Sequence, residues 1–235
     1  MNKNEAKELV IKHINVFFES QGYKLVKKAD SSVVYQKNMN SGFDGFASGT
    51  VDYNPIQKIR YSFYKRIESI EEITYLISQK VKLNPPIDKK TISLAFGYDS
   101  LILGKYVDTY LPECKVEEDV AKCVQEIIGF AEMHALPLLE KANDIRYLDA
   151  QINGEIFWET DWQQKFNLGG NFDIKRLIVA WLANNPNFNE IVEKNYNAIE
   201  KASELSGYPF KYNRQDLSLP IPCALEILKS IKPLF

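Results

Sequence analysis

Between residues 32 and 66, apolar and polar side chains alternate, and turn-favouring residues interrupt the alternation at 38–40, 42, 45, 49 and 54–55. Such alternation is typical of antiparallel strands that cover one face of a sheet and expose the other. The short interruptions predict turns, and the strands between them should form a meander. We expect four strands, near residues 23–27, 33–37, 46–53 and 58–66.

Two sets of side chains alternate along the fourth strand. The apolar set, which should pack against helices, is Ile59, Tyr61 and Phe63. The polar set, which should face solvent, is Arg60, Tyr64 and Arg66, and Lys37 is expected to join it. A sheet face with these groups can bind an acidic partner or ligand, and solvated charge on a wet face is the alternative explanation.

A helical period of apolar residues precedes and follows these strands. The first helix covers residues 6–18 and should end at Gly22. A second begins near Ser69, and a long one runs from Val116 and bends at Pro137, whose ring removes a backbone donor. Later helices are expected at 144–151, after a capping Asp173, from Pro186 to Gly207, and at 223–231. A strand is expected at 91–96, with another at 100–103 or 106–110.

This order of elements predicts an α+β fold in which an antiparallel β meander packs against helices and a mostly helical C-terminal part follows. We expect a division near Glu113, with the helix and sheet in residues 1–113 and the helical part in 114–235. The long helix that begins at Val116 is a candidate to cover the apolar face of the sheet. The two parts should pack together as one compact unit.

Composition narrows the classes of function. The chain has 235 residues, 45% of them hydrophobic, which suffices for a large core. The net charge of −2 gives no overall reason to expect nucleic-acid binding, and no segment approaches the ~18 apolar residues of a membrane-spanning helix. Three cysteines form an odd, sparse set that favours thiols in a reducing compartment. We therefore expect a cytoplasmic protein.

The sequence offers few residues for catalysis or metal binding. The chain has two histidines, and His13 lies on the apolar stripe of the first helix. No paired C-x-x-C steps and no H-E-x-x-H motif occur. The sequence therefore predicts no catalytic residues, no metal and no cofactor, and it favours a binding protein over an enzyme.

Residues 155–162 have the most unusual local composition, because two tryptophans are interleaved with three carboxylates. Tryptophan supplies contact area, and carboxylates select basic partners. The alternative is that both rings anchor a loop to the core. The candidate partner-binding residues are Trp158, Trp162, Glu155, Glu159 and Asp161, together with Arg60, Tyr64 and Arg66.

The order of elements over residues 6–153 resembles uncharacterised bacterial domain-of-unknown-function proteins, some of which look like immunity proteins that neutralise a toxin. The likeness covers the helix ending at 22–24, the charged-aromatic meander, residues 135–140 and residues 144–153. It implies a protein partner and no catalytic residues. The alternative is an enzyme or small-molecule-binding protein with a site at the junction of sheet and helices, built from dispersed residues such as Arg60, Tyr64 and Glu118.

Overall fold

The structure, a computed structural model, describes residues 1–29, 31–53, 56–83, 91–103, 109–110, 113–154, 168, 171–205 and 212–235. Contacts within the chain group these residues into two units. The first unit holds Met1–Ile67 and Leu94–Lys141. The second holds Glu68–Ser93, 142–154 and Leu168–Phe235. The division expected near Glu113, into residues 1–113 and 114–235, stays a prediction.

The first unit contains the antiparallel sheet. Its strands are β1 (Lys24–Lys28), β2 (Ser32–Met39), β3 (Gly42–Asp52), β4 (Gln57–Ile67), β5 (Leu94–Phe96) and β6 (Thr109–Tyr110). The first five follow one another across the sheet, and β6 pairs with β4 beside β5. The four strands of the expected meander are therefore confirmed.

The core of the first unit lies on the inner face of this sheet. The pairings Tyr35 with Phe46 and Phe46 with Phe63 place three rings side by side across β2, β3 and β4. Helix α1 (Lys3–Ser20) lays Phe18 onto them, with ring centroids 4.5 Å from Phe46 and 5.2 Å from Tyr35. Gly22 then turns the chain toward β1 with a φ of 81°, a conformation that favours glycine.

The other helices described in the first unit are α3 (Tyr98–Leu103), α4 (Glu117–Phe130) and α5 (Leu136–Lys141). This part of the chain departs from expectation at two places. Of the two positions expected for the further strand, 100–103 is helical, because the Ser100 hydroxyl bonds both the N–H and the carbonyl of Gly97 and starts a helix there. The alternative position, 106–110, contains the strand β6 at Thr109–Tyr110. Between α4 and α5, residues Ala131–Ala135 form a π-helical turn. Pro137 lacks the N–H that an α-helix would need at that point.

The inner face of the sheet also receives α4. Its Phe130 ring lies 6.0 Å from the Tyr61 ring and 5.8 Å from the Phe63 ring. The expectation that this long helix covers the apolar face is confirmed. Ile59, Tyr61 and Phe63 are all buried on that face, as their alternation predicts.

The second unit is helical in its described residues. It comprises α2 (Glu68–Lys80), α6 (Ile145–Asn153), α7 (Phe172–Leu182), α8 (Phe188–Leu205) and α9 (Pro220–Leu228). Helix α7 contacts all four of the others, and its residues from Ile174 to Ala180 are all buried. The α+β class, with an antiparallel sheet against helices and a mostly helical C-terminal part, is confirmed.

Two buried charges meet inside the second unit. Lys175 Nζ lies 2.9 Å from Glu71 Oε1, and both side chains are at most 1% exposed. Thr91 and Ser93 each donate a hydroxyl hydrogen bond to the carboxylate, at 2.7 and 2.8 Å. Lys175 also donates to the Ile92 carbonyl at 2.6 Å. Every partner of this pair is therefore supplied by the chain, which is the condition for burying an ion pair.

The capping role expected for Asp173 was wrong. Asn171 occupies the N-cap position of α7, in the left-handed conformation with φ 53° and ψ 34°. Asp173 lies inside the first turn, where its carboxylate is half-buried.

Candidate functional site

The outward face of the sheet is the side opposite the core, and the strand register defines it. Its small or apolar members are Val34 on β2, Phe43, Gly45, Ala47, Gly49 and Val51 on β3, and Ala95 on β5. Its polar and aromatic members are Ser32, Gln36 and Asn38 on β2 and Ser62 and Tyr64 on β4. Its basic members are Lys24 and Lys27 on β1 and Lys58, Arg60 and Arg66 on β4.

Charge on the outward face has one sign. It carries five basic side chains, and none of the described strand residues places a carboxylate on it. Asp44 and Asp52, the acidic residues of β3, both fall on the inner face. Because like charges destabilise neighbouring strands when they lie directly opposite each other, spreading them over β1 and β4 limits the cost. The whole chain has a net charge of −2, so this face is a local departure from the average.

Glycine and tyrosine shape the floor of this face. A Cβ at Gly45 would lie 2.1 Å from the Tyr64 ring, so the ring lies flat across the glycine. Phe43 meets that ring edge-on at 6.1 Å. Burial raises the pKa of Tyr64 to about 12. Tyr64 therefore lies on the expected face, but it closes a gap in the sheet and does not project as a stacking platform.

Lys24 and Lys27 are the most accessible charges of the outward face. Every residue of β1 is exposed, and within the described residues neither lysine makes an ion pair. Lys28, the next residue, differs because it pairs with Glu8 at 2.8 Å. Lys58 is half-buried and lies over the Tyr53 ring at 5.2 Å. A partner would therefore meet the lysines of β1 first.

The expected site residues of β2 and β4 are distributed differently from the prediction. Arg60 is exposed, as expected, whereas Arg66 is only 7% exposed, so the expectation of a solvent-facing Arg66 was wrong. Both arginines make further interactions within the chain. Lys37 lies opposite Asp44 in the register of β2 and β3 and is therefore on the inner face. Its ammonium is 6.0 Å from the Tyr23 ring. The prediction that Lys37 joins the outward face was therefore wrong.

The other predicted site residues lie elsewhere. Trp158, Trp162, Glu155, Glu159 and Asp161 lie outside the described residues. Glu118 is exposed on the first turn of α4. Because α4 packs on the inner face, the structure does not bring Glu118 together with Arg60 and Tyr64.

The inner face contains a buried ion pair that was not predicted from the sequence. Lys65 Nζ lies 2.6 Å from Asp44 Oδ1, and the two residues face each other across β4 and β3. Burial raises the pKa of Asp44 and lowers the pKa of Lys65, and the hydrogen bond between them opposes both changes. The signal was available in the alternation, because Lys65 shares its parity with Ile59, Tyr61 and Phe63.

The second unit contains a buried polar network between α6 and α7. Asp149 accepts hydrogen bonds from Asn153 at 2.8 Å and from Asn185 at 2.6 Å. Asn153 in turn accepts one from Arg176 Nε at 3.1 Å. Burial raises the pKa of Asp149 and lowers the pKa of Arg176 to about 10. Since these groups serve as partners for one another, the network joins the helices and need not serve catalysis.

The half-buried carboxyl group of Asp173 should make the free energy of unfolding depend on pH. Burial raises the pKa of this carboxyl from 3.8 to about 6, although the Arg176 guanidinium opposes the rise. Between those values the unfolded chain releases the proton while the folded chain keeps it, so the group's contribution to stability falls as pH rises. We expect Asp173→Asn to remove that part of the decline, measured by urea unfolding from about pH 4 to about pH 7.

The matched control for this measurement is Asp216→Asn. Hydrogen bonds from Ser218 lower the pKa of the half-buried Asp216, so its contribution is present above its unfolded pKa and is lost as pH falls. The two variants should therefore shift the pH profile in opposite directions. Parallel profiles for Asp173→Asn and the unmodified chain would contradict the assignment.

The described residues contain neither a cluster of metal ligands nor a membrane-spanning helix. No group of three or more His, Cys, Asp or Glu side chains there could hold a metal ion. No helix in that part of the chain is long and apolar enough to cross a membrane. Comparison with protein-family models, with curated proteins and with solved structures finds no match to the chain. The resemblance to immunity-type proteins therefore stays a prediction.

Proposed function

We propose that the chain is a non-catalytic protein that binds an acidic protein partner through the outward face of its sheet. The observation that carries this proposal is the charge of that face: of its five basic side chains Lys24, Lys27 and Arg60 are exposed, and none of the described strand residues places a carboxylate there. The inner face is occupied by α1 and α4, so the outward face is the side of the sheet that those two helices leave for a partner. Complementary charge directs encounter and selects among partners.

An acidic protein fits this face better than a nucleic acid does. Single-stranded nucleic acid needs projecting aromatic rings on which bases stack, and the Tyr64 ring lies flat over Gly45. A net charge of −2 also repels a phosphate backbone at long range. A protein surface needs only small residues in the floor and charge at the rim, which Ala47, Gly49 and the β1 lysines supply.

Charge reversal at Lys24 and Lys27 tests the proposal. The unmodified chain and the double variant K24E/K27E are immobilised, exposed to lysate of the source cells, and the captured proteins are quantified. We expect a protein enriched by the unmodified chain to be captured at least about tenfold less by the variant, because attraction at two positions becomes repulsion. Its affinity, measured with the purified partner, should fall with added salt.

The control variant K201E/K232E changes the net charge equally at exposed lysines of the second unit. It should capture the same partner as the unmodified chain. Lysines on an edge strand also discourage association of edges, but glutamates preserve that effect, so a loss of binding reports attraction. Equal capture by K24E/K27E, or an oligonucleotide that binds through these lysines, would overturn the proposal.

An immunity-type inhibitor would be one case of this function, in which the acidic partner is a toxin. The resemblance of residues 6–153 to such proteins supports this case. Co-expression with a toxin encoded beside the gene tests it: the unmodified chain should restore growth, and K24E/K27E should not. Restoration by both proteins would place the inhibitory contact elsewhere on the chain.

A further inference from the structure

Two thiols lie in contact inside the first unit. The sulfur atoms of Cys114 and Cys123 are 3.4 Å apart, and the two residues are 0% and 2% exposed. Cys123 lies on the second turn of α4. Cys114 precedes that helix and is held to the start of β4 by two backbone hydrogen bonds with Gln57, of 3.1 and 2.8 Å. The start of β4 and helix α4 therefore bring the two cysteines together.

The two thiols are chemically unequal. The hydrogen bond between the two sulfur atoms lowers the pKa of Cys114, whereas this hydrogen bond and burial raise the pKa of Cys123. The thiolate, not the thiol, is the nucleophile in cysteine oxidation. Cys114 also lies outside the helix, between exposed neighbours at 113 and 115, whereas Cys123 is held within α4. Cys114 is therefore the group that reacts first, and Cys123 is the neighbour that can resolve the product.

We propose that Cys114 and Cys123 are an oxidation site that closes to a disulfide when a small two-electron oxidant of the peroxide class reaches it. A disulfide needs about 2.05 Å between its sulfur atoms, so the present 3.4 Å must shorten by only about 1.4 Å. The residues at 113 and 115–118 are exposed on both sides of Cys114. A small opening of the first turn of α4 therefore admits such an oxidant.

The reaction balances in two steps. The Cys114 thiolate attacks one peroxide oxygen, the S–O bond forms, the O–O bond breaks, and the departing hydroxide takes up a proton as water. Cys123 sulfur then attacks the Cys114 sulfenic acid, and the S–S bond forms. The S–O bond breaks, and the second hydroxide leaves as water with the Cys123 proton. Two thiols are oxidised and one peroxide is reduced to two waters.

The third cysteine is an internal comparison. Cys223 lies on α9 in the second unit, and burial raises its pKa. No other cysteine belongs to that unit. Intramolecular pairing is expected between Cys114 and Cys123, because the sulfur contact of 3.4 Å joins these two residues. The new bond would close a loop of nine residue steps between the edge of β4 and α4.

Peroxide treatment of the purified full-length chain tests this site. We expect the titratable thiols of the denatured protein to fall from three to one and the mass to fall by two hydrogen atoms. A thiol reductant should reverse both changes. The melting temperature of the oxidised protein should rise by about 5 °C, because the cross-link restricts the unfolded chain.

Three variants complete the design. Cys223→Ser should leave the oxidation unchanged, whereas Cys114→Ser and Cys123→Ser should each abolish the loss of two hydrogens. Peptide mapping of the oxidised unmodified chain gives the result independently of whether a variant folds: it should recover the peptide of Cys114 linked to that of Cys123. Recovery of both peptides with unlinked or over-oxidised sulfurs, or of a link through Cys223, would overturn the proposal.

Discussion

Lys175→Met is expected to lower the free energy of unfolding by about 3–5 kcal/mol, because it leaves the Glu71 carboxylate buried without its cation. Glu71 is 0% exposed in its side chain, and Lys175 Nζ lies 2.9 Å from it. The hydroxyls of Thr91 and Ser93 would remain as donors, but two neutral donors do not replace a full positive charge. Urea unfolding followed by circular dichroism measures the loss.

The control is Lys194→Met. Lys194 forms a comparable ion pair with Glu190 at 2.8 Å, but the two side chains are 38% and 60% exposed. Such surface pairs contribute about 0–1 kcal/mol, so this variant should remain close to the unmodified chain. Equal losses for the two lysine variants would show that burial does not set the cost.

A double variant separates the unpaired charge from lost packing. Glu71→Met combined with Lys175→Met removes both charges, and apolar replacement of a buried pair is often neutral or stabilising. We expect the double variant to be more stable than Lys175→Met alone. A further loss of stability on adding Glu71→Met would mean that the hydroxyl network around Glu71, and not the ion pair, holds α2 in place.

The sheet was predictable from sequence because alternation reports a local property of the chain. In β4 a side chain points to one face or the other according to its parity, and Ile59, Tyr61 and Phe63 are buried as that parity requires. The same rule places Lys65 inside. Parity says nothing, however, about whether a charged side chain finds a partner, and the partner here is Asp44 on a different strand.

Other features depend on contacts between residues distant in sequence, which no single window contains. Glu71 and Lys175 form one ion pair although about a hundred residues separate them. Arg66 follows the parity of the outward face and is nevertheless buried. Lys37 is a different case, because it shares its parity in β2 with the buried Val33 and Tyr35, so the alternation of that strand alone places it on the inner face.

The sequence predicted only those residues of the candidate site whose position follows from local alternation. Arg60 and Tyr64 were identified from alternation along β4, which is local. Lys24 and Lys27 were missed because their membership of the outward face follows from a bulge in β1, where the register shifts between Leu25 and Lys27. Without the bulge these two lysines, three positions apart, would point to opposite faces. The absence of carboxylates from the outward face of the described strands emerges only when all registers are known.

Phe18→Ala is expected to lower the free energy of unfolding by about 3–5 kcal/mol. Phe18 is 0% exposed, and its ring contacts rings from three neighbouring strands: Tyr35, Phe46 and Phe63. Its removal leaves a cavity that these flat, stacked rings cannot fill without leaving their own positions. Val16→Ala is the control on the same helix, because Val16 is 74% exposed and should change stability by only about 0.5 kcal/mol.

Phe18→Leu distinguishes the ring from its volume. Leucine keeps most of the buried apolar surface but not the stacked contact, so the loss should be about 1–2 kcal/mol if burial dominates. Equal losses for Phe18→Leu and Phe18→Ala would mean that the ring geometry itself joins α1 to the sheet. Since α1 covers the inner face behind Lys24 and Lys27, the variant that loosens it should also weaken partner binding without changing any outward-facing charge. Retained binding at full affinity in Phe18→Ala would show that β1 keeps its register without the helix.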